Sequence, residues 1–544
     1  MQSGRAGARV LPRSSPGLTG AALLWTAGLA PSLLPRPAGV AIVLAGVLAA
    51  CGYGLGCAVA WGFRRLVSWS PGPRVVLVGR VVTGLTGLWA MVMTVVSTRW
   101  QAEQAAALGM SDPAPAPAVL LVAGLGVGWS LVLVGRGLRG VARRVNRFVS
   151  RRSGRGWGSV LGAVAAAGVV VGVLAVVYAG IWALFSVLDG RGSGQPAPSS
   201  PQRTGGPGSF VAYAALGTEG QRFVDGGPTV ERITTYAGKP AMEPIRVYVG
   251  LAAADSAQAR AQLAVQELQR TGAFHRRLLV VAITTGNGYL DPTLVDAPEF
   301  LTGGDVATVA TQYSVLPSWL SFLVDQKAAG QEAQALWQAV RQSVDALPPG
   351  QRPQLATSGE SLGAFGGQAV FAGLAPDQVT AQAAATVWVG SPGASPVWTQ
   401  WRDTRSSGPP WEPVIGDDTV ARDPATAASA QWTLAGWVTA RVVLTQHAND
   451  PVSWWAPGLL LRRPDWLTPP LGPGVDPRIT WWPGVFFLQT GLDLVAAGAV
   501  PAGVGHNYGD LTAQAWAYAL NSPGADGTWT TSDTTRLNDA TGGT

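Results

Sequence analysis

Cysteine and histidine are scarce in this 544-residue chain: it has two cysteines, Cys51 and Cys57, and three histidines, His275, His447 and His506. So few cysteines exclude a disulfide scaffold and a cysteine-rich zinc module. No metal or cofactor site is expected. Lysine is limited to Lys239 and Lys327. Charged residues form 13% of the chain, against about 25% in ordinary soluble domains. That shortage argues against a purely soluble protein, as does the mean hydropathy of +0.22. With 47% apolar residues the chain is too hydrophobic for general disorder, despite 71 glycines and 40 prolines.

The charge is unevenly spread. Residues 1–188 carry 17 arginines against Glu103 and Asp112, while the remainder is net acidic. The overall pI near 9.8 therefore does not indicate a nucleic-acid partner. Positive charge lying between apolar runs is instead how membrane proteins mark cytoplasmic loops.

Five apolar runs are visible: Gly17–Leu34, Ala38–Phe63, Val75–Ser97, Ala118–Gly135 and Ser159–Leu188. A span needs about 20 apolar residues, and the first run is short and interrupted by Pro31. The reading is a helical membrane domain over 1–188 with about five spans. Gly124–Gly128 and Gly168–Gly172 are spaced for close helix contact. Arginines cluster before the first run (Arg5, Arg9, Arg13), between the second and third (Arg64, Arg65, Arg74), and from Arg136 to Arg155. All three clusters are expected in the cytoplasm of a multi-pass plasma-membrane protein. The chain after Leu188 is then extracytoplasmic. Cleavage of the first run as a signal peptide would leave that placement unchanged. Residues 189–229, rich in Gly, Pro and Ser, read as a flexible linker and lead-in.

From residue 230 to 544, strands alternate with helices. Strand candidates are Ile245–Leu251, Leu278–Thr284, Gln354–Ser358, Ala384–Val389 and Val438–Thr445, and helix candidates are Asp255–Arg270 and Trp319–Val344. Such alternation implies a mostly parallel sheet covered by helices.

Chemistry concentrates at Gly359-Glu360-Ser361-Leu362-Gly363, a G-x-S-x-G sequence between a strand and a helix. That context suits a nucleophile elbow, in which a strained turn raises the serine hydroxyl above the sheet. A serine needs a base, and the chain order of this motif is serine, acid, histidine. His506, in Gly505-His506-Asn507-Tyr508 near the end of the domain, is the expected base. Asp450, just after a strand and before Pro451, is the expected acid, with Asp493 and Asp510 as rivals. His447 reads as a neighbouring structural or pocket residue, and His275 as surface. Leu362 N–H is the expected first oxyanion donor. The second is assigned to Leu251 or Ala252, with the loop Thr285-Gly286-Asn287-Gly288 as the rival source. Trp481–Leu488 falls between the acid and the base and reads as core, as an acyl groove or as bilayer contact.

Taken together, PIRVYVGL (Pro244–Leu251), ELQRTGAF (Glu267–Phe274), TTGNGY (Thr284–Tyr289), QYSVLPSWLSFLVD (Gln312–Asp325), GESLGAFGG (Gly359–Gly367), HANDPVSWW (His447–Trp455) and GHNY (Gly505–Tyr508) resemble the actinobacterial membrane-anchored alpha/beta-hydrolase family. The resemblance covers nearly the whole chain. It implies a multi-helix membrane domain followed by a serine-hydrolase domain, with Ser361, Asp450 and His506 as its triad. The expected partners are the lipid bilayer and a small-molecule or lipid ester. Alternatives are an acyltransferase with the same triad and a non-catalytic scaffold domain on a membrane anchor.

Overall fold

The computed structural model describes residues 14–67, 72–111, 114–153, 158–417, 420–426, 428–430, 442–522, 524 and 529–542. Arg5, Arg9, Arg13 and Arg155, and the start of the strand expected over Val438–Thr445, lie outside them. The chain forms two compact units.

The first unit takes residues 1–175 together with 457–463 and 476–496. Its helices are α1 (Ser15–Gly28), α2 (Ala38–Val67), α3 (Pro73–Ala107), α4 (Pro117–Ser153) and the start of α5 (Gly158–Asp189). Among the described residues, four helices, α2 to α5, are long and apolar enough to cross a membrane. The expected count of five is thus corrected to four. At 14 residues, α1 rises only about 21 Å, less than the hydrocarbon core of about 30 Å. Apolar side chains along α3, α4 and α5, such as Leu77, Val122 and Val171, face outward, as helices bathed in lipid require.

Small residues let α1 approach α2 closely: a Cβ on Gly52 would lie 2.1 Å from Gly20 O. Of the two glycine pairs singled out by spacing, one lies at a helix contact. A Cβ on Gly124 would meet the Trp25 ring at 2.6 Å, and one on Gly128 would lie 3.0 Å from Gly46 O. Gly168 and Gly172 face open space.

After α1 the backbone leaves the helix yet stays buried at Leu33, Leu34 and Arg36. Such backbone must find hydrogen bonds inside the protein. Arg36 Nη1 donates to Gly28 O (3.0 Å) and Nη2 to Ala30 O (3.1 Å). Gln104 Nε2 donates to Ser32 O (2.7 Å), and Gln489 Nε2 to Gly28 O (3.2 Å) and Ala30 O (3.1 Å). Arg36 also faces Asp493 at 3.5 Å. The stretch Trp481–Leu488 belongs to this unit. Val485 packs with Leu44 and Leu48 of α2, and Phe486 is fully buried while Trp482 is exposed.

The second unit takes residues 176–456, 464–475 and 497–544. Seven strands form one sheet: β1 (Ile245–Val249), β2 (Leu278–Ile283), β3 (Val306–Thr311), β4 (Gln354–Glu360), β5 (Ala385–Val389), β6 (Ala421–Arg422) and β7 (Val442–Thr445). Their order is β1-β3-β2-β4-β5-β7-β6, and every pairing is parallel. Strands β1, β2, β3, β5 and β7 are buried along their whole length, the mark of a sheet covered on both faces. Helix Ala257–Arg270 begins at Ser256, whose side chain caps Ala259 N–H. The helical stretch after Trp319 breaks at Asp325 into Ser318–Val324 and Gln326–Asp345.

Residues 189–229, expected as a flexible linker and lead-in, carry regular structure in part. Within 189–229, residues Gly217–Asp225 form a helix, Val211, Leu216, Phe223 and Val224 are buried, and Arg203 bridges to Arg246 of β1. Spaced apolar residues among the Gly and Pro supply enough contact to hold this stretch in place.

Candidate active site

Strand β4 ends in a turn that the sequence can make at few other places. Ser361 has φ 54° and ψ −122°, a conformation that L-residues rarely adopt and that carries strain of about 1–3 kcal/mol. Its neighbours must be small. A Cβ on Gly359 would lie 2.4 Å from Gly363 C, and one on Gly363 would lie 2.1 Å from Ile283 O. Helix Leu362–Val370 starts at once after the serine, so its first N–H groups have no intrahelical acceptor.

The expected acid lies at the C-terminal end of β7. Asp450 is fully buried and its carboxylate is filled with donors. Oδ1 accepts Val452 N–H at 2.8 Å. Oδ2 meets His506 Nδ1 at 2.7 Å, Tyr508 Oη at 2.8 Å and Ser453 Oγ at 3.0 Å. Burial alone would raise the Asp450 pKa, but the His506 charge and the hydrogen bonds from His506, Tyr508 and Val452 hold it below the ordinary range. For His506 burial pulls the other way and the Asp450 charge wins, so its pKa is raised. An ionised carboxylate can only accept, so His506 carries its proton on Nδ1. Its Nε2 is buried and has no hydrogen-bond partner among the described residues.

One strand end joins the serine to the histidine. Val389 O accepts Ser361 N–H at 2.9 Å. The next residue, Gly390 (φ 57°), packs so closely that a Cβ there would lie 2.5 Å from His506 Cε1. Ser361, Asp450 and His506 therefore converge at the C-terminal ends of β4, β5 and β7. Glu360, just before the serine, is also drawn in. Burial and the nearby Asp291 push its carboxyl up to about 8, with His506 opposing.

His447 is engaged elsewhere. Its Nδ1 is 2.9 Å from Gly505 O, its ring stacks on Tyr508 at 4.1 Å, and burial lowers its pKa. Asp493 belongs to the first unit, where it faces Arg36. Asp510 opens helix Asp510–Ala519.

Leu251 is corrected as an oxyanion donor. It follows the edge strand β1, and β3 and β2 stand between β1 and the serine strand. Its N–H is already committed to Gln312 Oε1 at 3.0 Å. The sequence reading missed β3, and without it β1 appeared closer to β4 than it is. Tyr508 and Ser453, which fill the Asp450 carboxylate, were also missed. The only signal was their position, two residues after the histidine and three after the aspartate.

A profile of the alpha/beta-hydrolase family matches residues 245–537, and a profile described as the alpha/beta-hydrolase family N-terminus matches residues 29–228. No curated protein and no solved structure matches the chain.

Proposed function

Since the chain belongs to the alpha/beta-hydrolase family, we propose that it is a membrane-anchored serine hydrolase acting on an ester-like substrate. The observation that carries this reading is the buried Asp450–His506 pair, with Nε2 unpaired beside the strained Ser361 turn. In the mechanism, His506 Nε2 takes the Ser361 Oγ proton as Oγ attacks the carbonyl carbon. Asp450 holds the imidazole tautomer and stabilises the imidazolium. Leu362 N–H, at the start of its helix, donates to the developing oxyanion. The imidazolium gives its proton to the leaving oxygen, and water then releases the acyl group by the same route in reverse.

The orientation is read from the arginines. Arg64 and Arg65 lie in the last turn of α2 and Arg74 at the start of α3, and the arginines from Arg136 to Arg152 lie in the C-terminal half of α4. Both face the cytoplasm under the positive-inside rule, so the hydrolase unit is extracytoplasmic whatever the course of α1. Its tethering to a membrane-spanning segment favours a lipid or cell-envelope ester. The test is a fluorophosphonate probe on the detergent-solubilised chain. Labelling of the wild type but not of Ser361→Ala supports the hydrolase. A folded wild type that stays unlabelled supports a non-catalytic scaffold. Reporter fusions after Leu188 test the orientation, and cytoplasmic signal there would overturn it.

A further inference from the structure

The end of α5 belongs to the second unit, which begins at Val176. From Gly158, about 20 residues of α5 rise about 30 Å, the hydrocarbon thickness, and end at Tyr178. Residues 171–180 are all exposed, and partial burial sets in at Ile181 and Trp182. The rings of Tyr178 and Trp182 lie 6.3 Å apart, and such side chains favour the membrane–water interface. Lipid contact along α5 therefore ends at their level. Asp325 caps the short helix Ser318–Val324 and lies near enough to Tyr178 for its charge to be felt there. That places the short helix at the depth of the interface.

The helix has an apolar outer face. Outside α5, the large apolar side chains exposed in the second unit are Phe210, Met242, Tyr289, Trp319, Leu323 and Val324 among the described residues. The last three sit on this one helix of seven residues, which carries no charge. Trp319 and Leu323 are one turn apart and share a face. The next helix, Gln326–Asp345, instead buries its Leu336, Trp337, Val340 and Val344. The inner face of the short helix covers the catalytic edge of the sheet. A Cβ on Gly286, in the loop after β2, would lie 2.7 Å from Ser321 Cβ and 3.1 Å from Ser318 Cα. Phe322 meets Trp455 edge-on, with ring centroids 5.5 Å apart, and Trp455 closes the turn that Asp450 opens. Strands β4 and β5 stand between β2 and β7, so the helix lies over the strand ends that carry Ser361 and Gly390. Ser361 is accordingly only 8% exposed.

We propose that Ser318–Val324 is an interfacial helix whose Trp319, Leu323 and Val324 enter the bilayer, so that the active site draws a long-chain ester from the lipid phase. The choice of ester rests on the reading of Ser361 as nucleophile. The occupant of the apolar face is a lipid surface, because the face continues the lipid-facing side of α5 at the depth where tryptophan is favoured. Burying these three side chains in acyl chains removes apolar surface from water and holds the helix at the interface. An ester whose acyl chain lies in the same leaflet then reaches the strand ends under the helix without crossing water. A short water-soluble ester gains nothing from that contact.

The test uses the full-length chain in vesicles of phosphatidylcholine and radiolabelled phosphatidylglycerol. The photocrosslinker p-benzoylphenylalanine replaces Leu323 in one preparation. In another it replaces His275, which is exposed just before β2, at the opposite end of the sheet. Illumination should attach lipid at 323 with a yield about tenfold above that at 275. Equal yields would overturn the proposal, as would a crosslink from 323 to a second copy of the chain in place of lipid. The double variant Trp319→Ser/Leu323→Ser is then compared with wild type on a vesicle-borne long-chain ester and on p-nitrophenyl acetate. The ratio of lipid-ester to soluble-ester turnover should fall about tenfold. An unchanged ratio would overturn entry from the lipid phase. If the double variant loses fluorophosphonate labelling and so its fold, Leu323→Ser alone supplies the ratio. Lipid attachment at 323 in a wild type that the fluorophosphonate does not label would instead overturn the nucleophile reading and leave the bilayer contact standing.

Discussion

Each unit buries an aspartate against a single base, and the two carboxyls respond in opposite directions. In the first unit Asp493 faces Arg36 at 3.5 Å, beyond hydrogen-bond reach for good geometry. Burial keeps its pKa above the ordinary range, with Arg36 the main opposing influence. In the second unit Asp450 is equally buried, but its pKa is lowered. For Asp450 the His506 charge acts first, and hydrogen bonds from His506, Tyr508 and Val452 N–H, all within 2.8 Å, add to it until burial is outweighed. For Asp493 the Arg36 charge and the hydrogen bonds it receives do not outweigh burial. Arg36 spends both Nη groups on the carbonyls of Gly28 and Ala30. The first pair serves a backbone that leaves its helix while buried, and the second serves a ring nitrogen that stays unpaired.

The strongest way to break this comparison is to remove each charge in turn. Asp450→Asn should lower kcat by about 10³–10⁴-fold, because the amide no longer fixes the His506 tautomer. Asp493→Asn should leave ester turnover within about twofold. It should lower stability by about 3–5 kcal/mol, since Arg36 is left as an uncompensated buried charge. Equal loss of turnover in both variants would show that the pairs do not differ in role. A smaller effect comes from geometry. Gly390→Ala forces a Cβ into a positive-φ position and onto His506, and kcat should fall by about 10²-fold with Asp450 intact. Smaller again, Tyr508→Phe removes one of the bonds that hold Asp450 ionised, and kcat should fall by about tenfold. In that variant the His506 limb of the pH profile should move.

The same contrast bears on what the sequence could reveal. The serine turn was legible because its constraint is local: Gly359 and Gly363 must be small for reasons within five residues of Ser361. Asp450 and His506 were reachable by elimination among few histidines and by chain order. The apolar spans were legible from length, but α1 was overcounted because Gly17–Leu34 includes buried non-helical backbone beyond Gly28. Leu251 was misplaced because VATVAT at β3, short and without large side chains, gives little strand signal. Strand order is a long-range property, and one missed strand shifted β1 relative to β4. The place of 476–496 in the first unit was equally hidden. Its Gln489 and Asp493 look like ordinary polar residues until Arg36 and the carbonyls of Gly28 and Ala30 stand opposite.

The finest test of the Asp450 arrangement is its pH profile. His506 must be neutral to accept the serine proton, and its pKa is raised by Asp450 against the effect of burial. Activity measured as kcat/KM should therefore rise with pH along a limb above the ordinary imidazole value of about 6.5. Glu360, pushed up to about 8 by burial and Asp291, sets the other side. Below that pH it is neutral and adds no charge near the forming oxyanion. Above it, a carboxylate next to Ser361 opposes that negative charge, and activity should decline. Glu360→Gln keeps the shape and removes the titration, so at pH 7 its activity should stay within about threefold. Its alkaline limb should disappear while the acid limb stays in place, because Glu360 is already neutral on that side. An alkaline limb that persists in Glu360→Gln would assign it to another group. Loss of both limbs would mean that His506 is not the group titrating on the acid side.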